Sequence, residues 1–417
     1  MTQTASGLCQ QIAACFSPSP PERLGVAVSG GSDSTALLVL LHDWHQGGGP
    51  DLRAVTVDHG LRPEAAEEAA HVAQLCDGLK IPHDILQWQG WSGRGNLPDA
   101  ARRARYALLS EWTVSHDLYD VALGHTATDQ AETFLMRLAR EAGVDGLSAM
   151  RKTRVIDSVT YWRPLLGMTR NSLRAVLRAR GVQWVDDPTN EDQSYERVRA
   201  RQALTQLEPL GLGAVQLGHV AHHMADVRDT LYHYALDAAR GIARIETGDV
   251  LLDRSGFLKL PPEIARRVIQ ESLKWVSGEA YGPRGRAVEG LLAAVAQGKG
   301  KTLHGCLIQQ KGQVLRITRE FNAVADQRAA LESVWDGRWR LSGPKEPGFF
   351  IAALGKKGAR QCPERQKTGL PAASLWASPA VWNGENLVAA PLAGLKNGWS
   401  AHLLRDETAY FDAFVSH

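Results

Sequence analysis

The stretch Leu24-Gly25-Val26-Ala27-Val28-Ser29-Gly30-Gly31-Ser32-Asp33-Ser34-Thr35-Ala36-Leu37-Leu38-Val39-Leu40-Leu41 decides the fold class. Leu24 to Val28 reads as a short buried strand and Thr35 to Leu41 as a buried helix. The Gly-rich turn between them, Ser29 to Ser34, places backbone N–H groups at a helix N-terminus, where the dipole favours an anion. No Lys follows the glycines as a nucleotide P-loop requires, and the spacing is not Gly-x-Gly-x-x-Gly. The site expected is a phosphate cradle of another kind.

Outward from this loop, strand and helix patterns alternate. Leu52 to Val57 is a second strand ending in Asp58-His59-Gly60. Pro63 starts a helix that Glu64 to Leu79 continue. His83 to Trp88 is a third strand, and Pro98 opens a helix to about His116. Tyr119 to Leu123 is a fourth strand, and Thr128 is placed to cap the helix through Arg140. This order predicts an α/β fold: a doubly wound, mainly parallel, Rossmann-like sheet. Ligands bind such sheets at the carboxyl ends of the strands. The loops 29–34, 58–62 and 124–129 all lie there and should meet in one cleft.

Beyond about residue 205 the texture changes to Ala/Leu/Arg-rich helical spacing, as in His219 to Ala239 and Glu263 to Val276. The segment 301–317 reads as short strands with a turn at Lys311-Gly312. From about 336 the chain is rich in Gly, Pro and Trp. The expected domains are 1–205, the α/β domain that carries the anion loop; 206–330, mainly helical; and 331–417, small and β-rich.

Over 417 residues, 47 Lys and Arg against 45 Asp and Glu leave a net charge of +2, so a nucleic-acid surface must be a local patch. Five scattered cysteines without a Cys-x-x-Cys argue against a disulfide framework, a zinc site or a cysteine-held cluster. No signal-like start and no membrane-length apolar run is read, so a cytoplasmic protein away from membranes is expected.

Three further segments carry chemistry. On the helix Asp99 to Tyr106, Arg102, Arg105 and Tyr106 share one face and Arg103 points elsewhere. Two guanidiniums on one face suit a phosphate or carboxylate, and a solvated face paired with Asp99 explains them equally well. In Gly124-His125-Thr126-Ala127-Thr128-Asp129-Gln130-Ala131-Glu132, acids stand in the first helical turn. The dipole alone favours them there, or Asp129 faces the cleft. Between residues 170 and 201, seven arginines meet five acids, after Arg163-Pro164 and around Asp187-Pro188-Thr189-Asn190 and Tyr195-Glu196-Arg197-Val198-Arg199-Ala200-Arg201. RNA phosphates or surface ion pairs both suit that excess.

SGGSDS, VDHGLR, AARRARY, LGHTATDQAET, RPLL and DPTN…YERVRAR, in this order over residues 24–201, resemble the tRNA(Ile)-lysidine synthetase family of PP-loop ATP pyrophosphatases. The resemblance implies adenylation of C2 of the wobble cytidine in a tRNA(Ile) with a CAU anticodon, then attack by free L-lysine. It implies ATP and Mg2+ as cofactors and, at the nucleotide, Ser29, Gly30, Gly31, Ser32, Asp33, Ser34, Asp58, His59, Gly124 and His125. Asp33 is the implied metal ligand. Asp33, Asp129, Arg102 and Arg105 are the implied catalytic set. Glu132, Arg163, Arg197, Arg199 and Arg201 are implied to meet lysine or tRNA, and a homodimer is the assembly allowed for. Where the family carries His-x-Asp-Asp-Gln, this chain has Thr126-Ala127-Thr128-Asp129-Gln130, so no role transfers to positions 126 or 128. A tRNA thiolase, an amide-forming synthetase and a non-catalytic tRNA binder are the competing readings.

Overall fold

The computed structural model describes residues 5–60, 65–89, 91, 97–186, 196–279 and 281–415. Leu61, Arg62, Pro63, Glu64 and the Asp187 to Tyr195 motif lie outside the described residues. The chain divides into two compact units, Met1–Arg228 and Asp229–His417.

In the first unit a six-stranded sheet is built from β1 (Arg23–Ala27), β2 (Asp51–Asp58), β3 (His83–Gln87), β4 (Asp120–Leu123), β5 (Thr153–Ile156) and β6 (Val159–Trp162). Its order is β3-β2-β1-β4-β6-β5, parallel except for the β5–β6 hairpin at one edge. The chain winds outward from β1 through β2 to β3, then returns to place β4 on the other side of β1. The point where that order reverses lies between β1 and β4.

The helices are α1 (Ala5–Cys15), α2 (Ser32–Gln46), α3 (Ala65–Gly78), α4 (Leu97–Ser115), α5 (Ala127–Leu138), α6 (Val144–Leu147), α7 (Arg170–Ala179), α8 (Glu196–Leu207) and α9 (Ala214–Ile242). Residues of α1, α2, α3 and α7 form one core with β1 and β2. Tyr106, Leu109 and Trp112 of α4 pack with Val121 and Tyr161 in another. Leu37, Leu38, Leu40 and Leu41 of α2 are all 0% exposed. At roughly 1.5–3 kcal/mol per buried leucine, this one helix anchors the loop preceding it firmly to the sheet.

The second unit differs from the expected mainly helical segment. It has α11 (Pro262–Ser277) and α12 (Gly285–Ala296), following the short α10 (Arg254–Leu258). It also has an antiparallel sheet β7-β8-β11-β10-β9, formed by β7 (Ala243–Glu246), β8 (Asp249–Asp253), β9 (Lys301–Leu303), β10 (Cys306–Lys311) and β11 (Val314–Arg319). Its β7–β8 hairpin turns on Thr247 and Gly248, at φ 49° and 82°. Positive φ at both central residues matches the twist of the flanking strands. A four-stranded and a two-stranded antiparallel sheet follow, as the β-rich reading of the C-terminus expects. The boundary between the units falls inside α9, whereas the sequence reading divides the chain at 205 and 330. No helix among the described residues is long and apolar enough to cross a membrane.

Candidate active site

The loop after β1 and the turn after β4 face one another where the strand order reverses. Gly30 takes φ 84°, a conformation open to glycine at little cost. Gly124, after β4, lies so close to the loop that a Cβ there would sit 2.9 Å from Ser34 Cα and 3.0 Å from Ser34 N. Glycine is therefore the residue that lets the two turns touch.

Inside the loop, the Ser29 N–H donates to Ser34 Oγ at 3.1 Å, and Ser34 Oγ donates to Gly31 O at 3.1 Å. Thr35 Oγ1 donates to Gly30 O at 3.3 Å. The N-cap of α2 is Gly31, and no side chain caps the helix. Its first-turn N–H groups thus remain available to an anion.

A cleft of about 720 Å3 opens over these ends. Of the sequence-predicted residues, Ser29, Gly31, Ser32, Asp33, Ser34, Asp58, His59, Arg105, Gly124, His125, Asp129 and Arg197 line it. Gly30 shapes the loop without lining the cleft. Asp58 Oδ1 accepts the Gly60 N–H at 2.8 Å, so a local turn holds that strand end. His59 sits edge-on to Trp88, with ring centroids 5.8 Å apart. Burial, helped by the Arg105 charge and opposed by Asp58, lowers the His59 pKa below its ordinary value.

Arg102 and Arg105 both lie over the Tyr106 ring, at 5.5 and 5.4 Å, and Arg103 turns away to Asp99. The shared face is therefore as expected, but only Arg105 lines the cleft; Arg102 is exposed. The Arg105 Nε is buried with no hydrogen-bond partner, and no carboxylate pairs with this guanidinium among the described residues. A buried cation without a counter-charge on a cleft wall suits an anionic ligand.

The cap of α5 is Thr126, not Thr128. Thr126 N–H and Oγ1 each donate to Asp129 Oδ2 at 2.9 Å, and its Oγ1 accepts the Asp129 N–H at 3.5 Å. This capping box explains the threonine at 126: it is fully buried and satisfies the helix start. Burial works against the Asp129 charge. The Thr126 hydrogen bonds, with His125 and Arg197 nearby, outweigh it and hold the carboxyl below its usual range. Burial also depresses the His125 pKa, so its ring is neutral near pH 7.

Four predicted substrate residues lie elsewhere. Glu132 is 0% exposed, and its Oε1 accepts from Arg201 Nε at 2.7 Å, tying α5 to α8. Arg197 Nε stands 3.9 Å from its other oxygen. With the carboxylate already engaged by arginine, Glu132 and Arg201 form a brace rather than part of the cleft wall. Arg163 is buried behind the cleft, its Nη1 donating to Arg151 O at 2.8 Å. Arg199 is exposed on α8.

By sequence, Arg170 and Arg174 belong to an arginine excess that suits RNA phosphates or surface ion pairs. Both instead turn into the cleft. Arg170 donates to Asp33 Oδ2 from Nε at 3.0 Å and from Nη2 at 2.8 Å. Arg174 Nε donates to Ser32 Oγ at 3.2 Å, and its Nη2 pairs with Asp186. Their i, i+4 spacing was visible in the sequence; the direction they face was set by packing of α7 on α2. The segment after α7 also reaches the loop, where the Val185 N–H donates to Gly30 O at 2.9 Å.

Asp33 fits Mg2+ in the way such ions are usually held, by one or two carboxylates together with substrate phosphates. No group of three or more His, Cys, Asp or Glu among the described residues is arranged as a metal cage. The chemistry of the donor set therefore suits an ion carried in with a polyphosphate.

A strand, an SGGSDS turn and a helix opening a cleft at a reversal of strand order define an ATP-binding PP-loop domain. The family model of the PP-loop domain matches residues 4–208. Over all 417 residues the chain is 49% identical to the tRNA(Ile)-lysidine synthase of Ruegeria pomeroyi, covering 100% of both proteins. The protein of that name from Hyphomonas neptunium is 38% identical, over 81% of this chain and 92% of its own length. That of Wolbachia pipientis wMel is 31% identical, over 82% of each. The chain belongs to the tRNA(Ile)-lysidine synthase family, a family of enzymes.

Proposed function

We propose that this protein joins L-lysine to C2 of the wobble cytidine of a tRNA(Ile) with a CAU anticodon, at the expense of ATP. The observation that carries the chemistry is one cleft holding an uncapped phosphate loop, an Arg105 guanidinium that no described carboxylate pairs, and the Asp129 carboxylate together.

The C2 oxygen of the cytidine attacks the α-phosphorus of ATP, and the bond to pyrophosphate breaks. Ser29, Gly30, Gly31, Ser32 and Ser34 receive the departing pyrophosphate through backbone N–H and hydroxyl donors. Asp33 would hold Mg2+, which offsets charge on those phosphates when bound. Asp58, His59, Gly124 and His125 border the space for the adenosine. The lysine ε-amine then attacks C2, the C2–O bond breaks, and AMP leaves with that oxygen. The amine's protons pass to solvent. A depressed pKa makes Asp129 a poor proton acceptor and a durable anion, so it serves to draw in and orient the lysine ammonium. Arg105 faces the phosphate or the lysine carboxylate. A base must be unstacked to enter such a cleft, which suits an anticodon loop. The exposed arginines of α8 and the chain beyond residue 205, in segments 206–330 and 331–417, are assigned to the tRNA. A soluble, cytoplasmic setting follows from this substrate.

Transfer of radiolabelled lysine to a tRNA(Ile)(CAU) transcript, with ATP and Mg2+, tests the reading. Incorporation that disappears when the wobble cytidine is replaced by uridine is expected. Incorporation indifferent to that base, or absent with lysine but present as sulfur transfer, would overturn it.

A further inference from the structure

The ion pair between Arg170 and Asp33 joins the first turn of α7 to the first turn of α2 across the cleft wall. Asp33 is 14% and Arg170 24% exposed in their side chains. This is a partly shielded pair that a ligand can still reach. A carboxylate in the turn that receives phosphate repels it, by a Coulomb energy that low dielectric magnifies. Something must offset that charge, and Arg170 stands with Nη2 2.8 Å from Asp33 Oδ2.

The guanidinium uses Nε and Nη2 on Asp33, and its Nη1 bonds no other described residue. Among the described residues a donor edge is left over, as a fork built for two partners requires. Four residues on, Arg174 repeats the pattern: Nε touches the loop at Ser32 Oγ, and the side chain lines the same cleft. Its Nη2 is anchored by Asp186, and its guanidinium lies 5.6 Å over the Trp184 ring. Two arginines one helical turn apart are thus held against the loop by contacts that, among the described residues, do not exhaust their donors. The α7 helix supporting them is fixed by Leu173 and Leu177, both 0% exposed. The facing charged groups are Asp33, Asp58, Glu68, Asp129, Asp186, Arg105 and Arg197, on α2, β2, α3, α5, the segment after α7, α4 and α8.

We infer that Arg170, supported by Arg174, is a second wall of the phosphate cradle. It binds the β- and γ-phosphates of ATP and then the pyrophosphate product, while neutralising Asp33. The inference rests on the ATP-dependent reading of this cleft. No bond is made or broken by these side chains. They bind the group that leaves when the α–β bridge is cleaved.

The experiment measures binding by the full-length protein of ATP, adenosine and inorganic pyrophosphate, each with Mg2+, by isothermal titration calorimetry. Arg170→Ala should weaken ATP and pyrophosphate at least about ten-fold and change adenosine less than about two-fold. Arg170→Lys should recover part of the loss, because a point charge replaces the fork. Adenosine and ATP weakened alike, with a lowered unfolding temperature, would mean that Arg170 only braces the loop, and would overturn the proposal. Leaving Asp33 unpaired could itself repel phosphate, so Asp33→Asn is compared with Asp33→Asn/Arg170→Ala. A further loss of ATP affinity in the double variant supports direct contact. Equal affinity means neutralisation alone and overturns it. Wild-type protein that binds neither ATP nor pyrophosphate would overturn the ATP-dependent reading itself, whatever the variants do.

Discussion

Two arginine–aspartate pairs, one in each unit, have nearly the same geometry and opposite surroundings. In the first unit Arg170 holds Asp33 through Nε and Nη2, on the wall of an open cleft. In the second unit Arg319 holds Asp336 through Nε at 3.0 Å and Nη2 at 2.8 Å, with the aspartate 3% exposed. Arg319 also donates to Gly305 O at 2.8 Å, and buried Arg338 lies 4.0 Å from the same aspartate. The second pair is sealed into a framework, and none of its donors faces a ligand space described above. The lesson is that burial, not pairing, decides whether an arginine is structural or available. A sealed pair costs stability when broken; a pair on a cleft wall keeps a donor edge that a ligand can reach.

The largest effects should separate the two. Asp336→Ala leaves two buried arginines without their carboxylate and should destabilise the second unit by about 3–5 kcal/mol. Chemical denaturation checks it, and a loss under about 1 kcal/mol would break the distinction. Asp33→Ala should instead leave the unfolding transition nearly in place. Lysine transfer should fall on the order of 10^2–10^3-fold, the scale of losing a preorganised charge at a phosphate site. A smaller effect is expected at Gly124. Alanine there meets the Ser34 backbone rather than a flexible side-chain end, so the loop must shift. A cost of about 1–3 kcal/mol and weaker ATP binding should follow, read by thermal unfolding and calorimetry.

The smallest effect is one of pH. His125 has its pKa lowered from 6.5 by burial, so in acid the unfolded chain takes up a proton that the folded chain refuses. Stability therefore falls as pH drops below about 6.5, and Asp129, with its own pKa lowered, adds to the loss at lower pH. His125→Gln should flatten the upper part of that decline in unfolding temperature. An unchanged slope would show that the ring is not buried neutral.

Most of the cleft was legible because its parts are local. A strand, two glycines and a helix fix the loop within a few residues, and alternation predicts the mainly parallel sheet. What escaped was directional. Arg170 and Arg174 sit on a helix whose inward face only packing against α2 defines, so composition alone left RNA phosphates and surface ion pairs both open. A substrate role for Glu132 came only from the family resemblance; its burial against Arg201 depends on α8, 69 residues away. Thr128 was taken as the cap because both threonines fit the pattern, and the Asp129 carboxylate chooses Thr126. Between 206 and 300 the helical period corresponds to α9, α11 and α12, but the hairpin at Thr247-Gly248 is signalled by two residues alone.

The central claim is that one cleft performs two successive steps with different carboxylates. Incubating the enzyme with α-phosphorus-labelled ATP and tRNA(Ile)(CAU), with and without lysine, tests it by following label bound to the tRNA. Asp129→Asn should form adenylated tRNA that persists when lysine is added, while Asp33→Ala forms none. Adenylated tRNA formed normally by Asp33→Ala, or discharged by lysine at the wild-type rate in Asp129→Asn, would contradict the account.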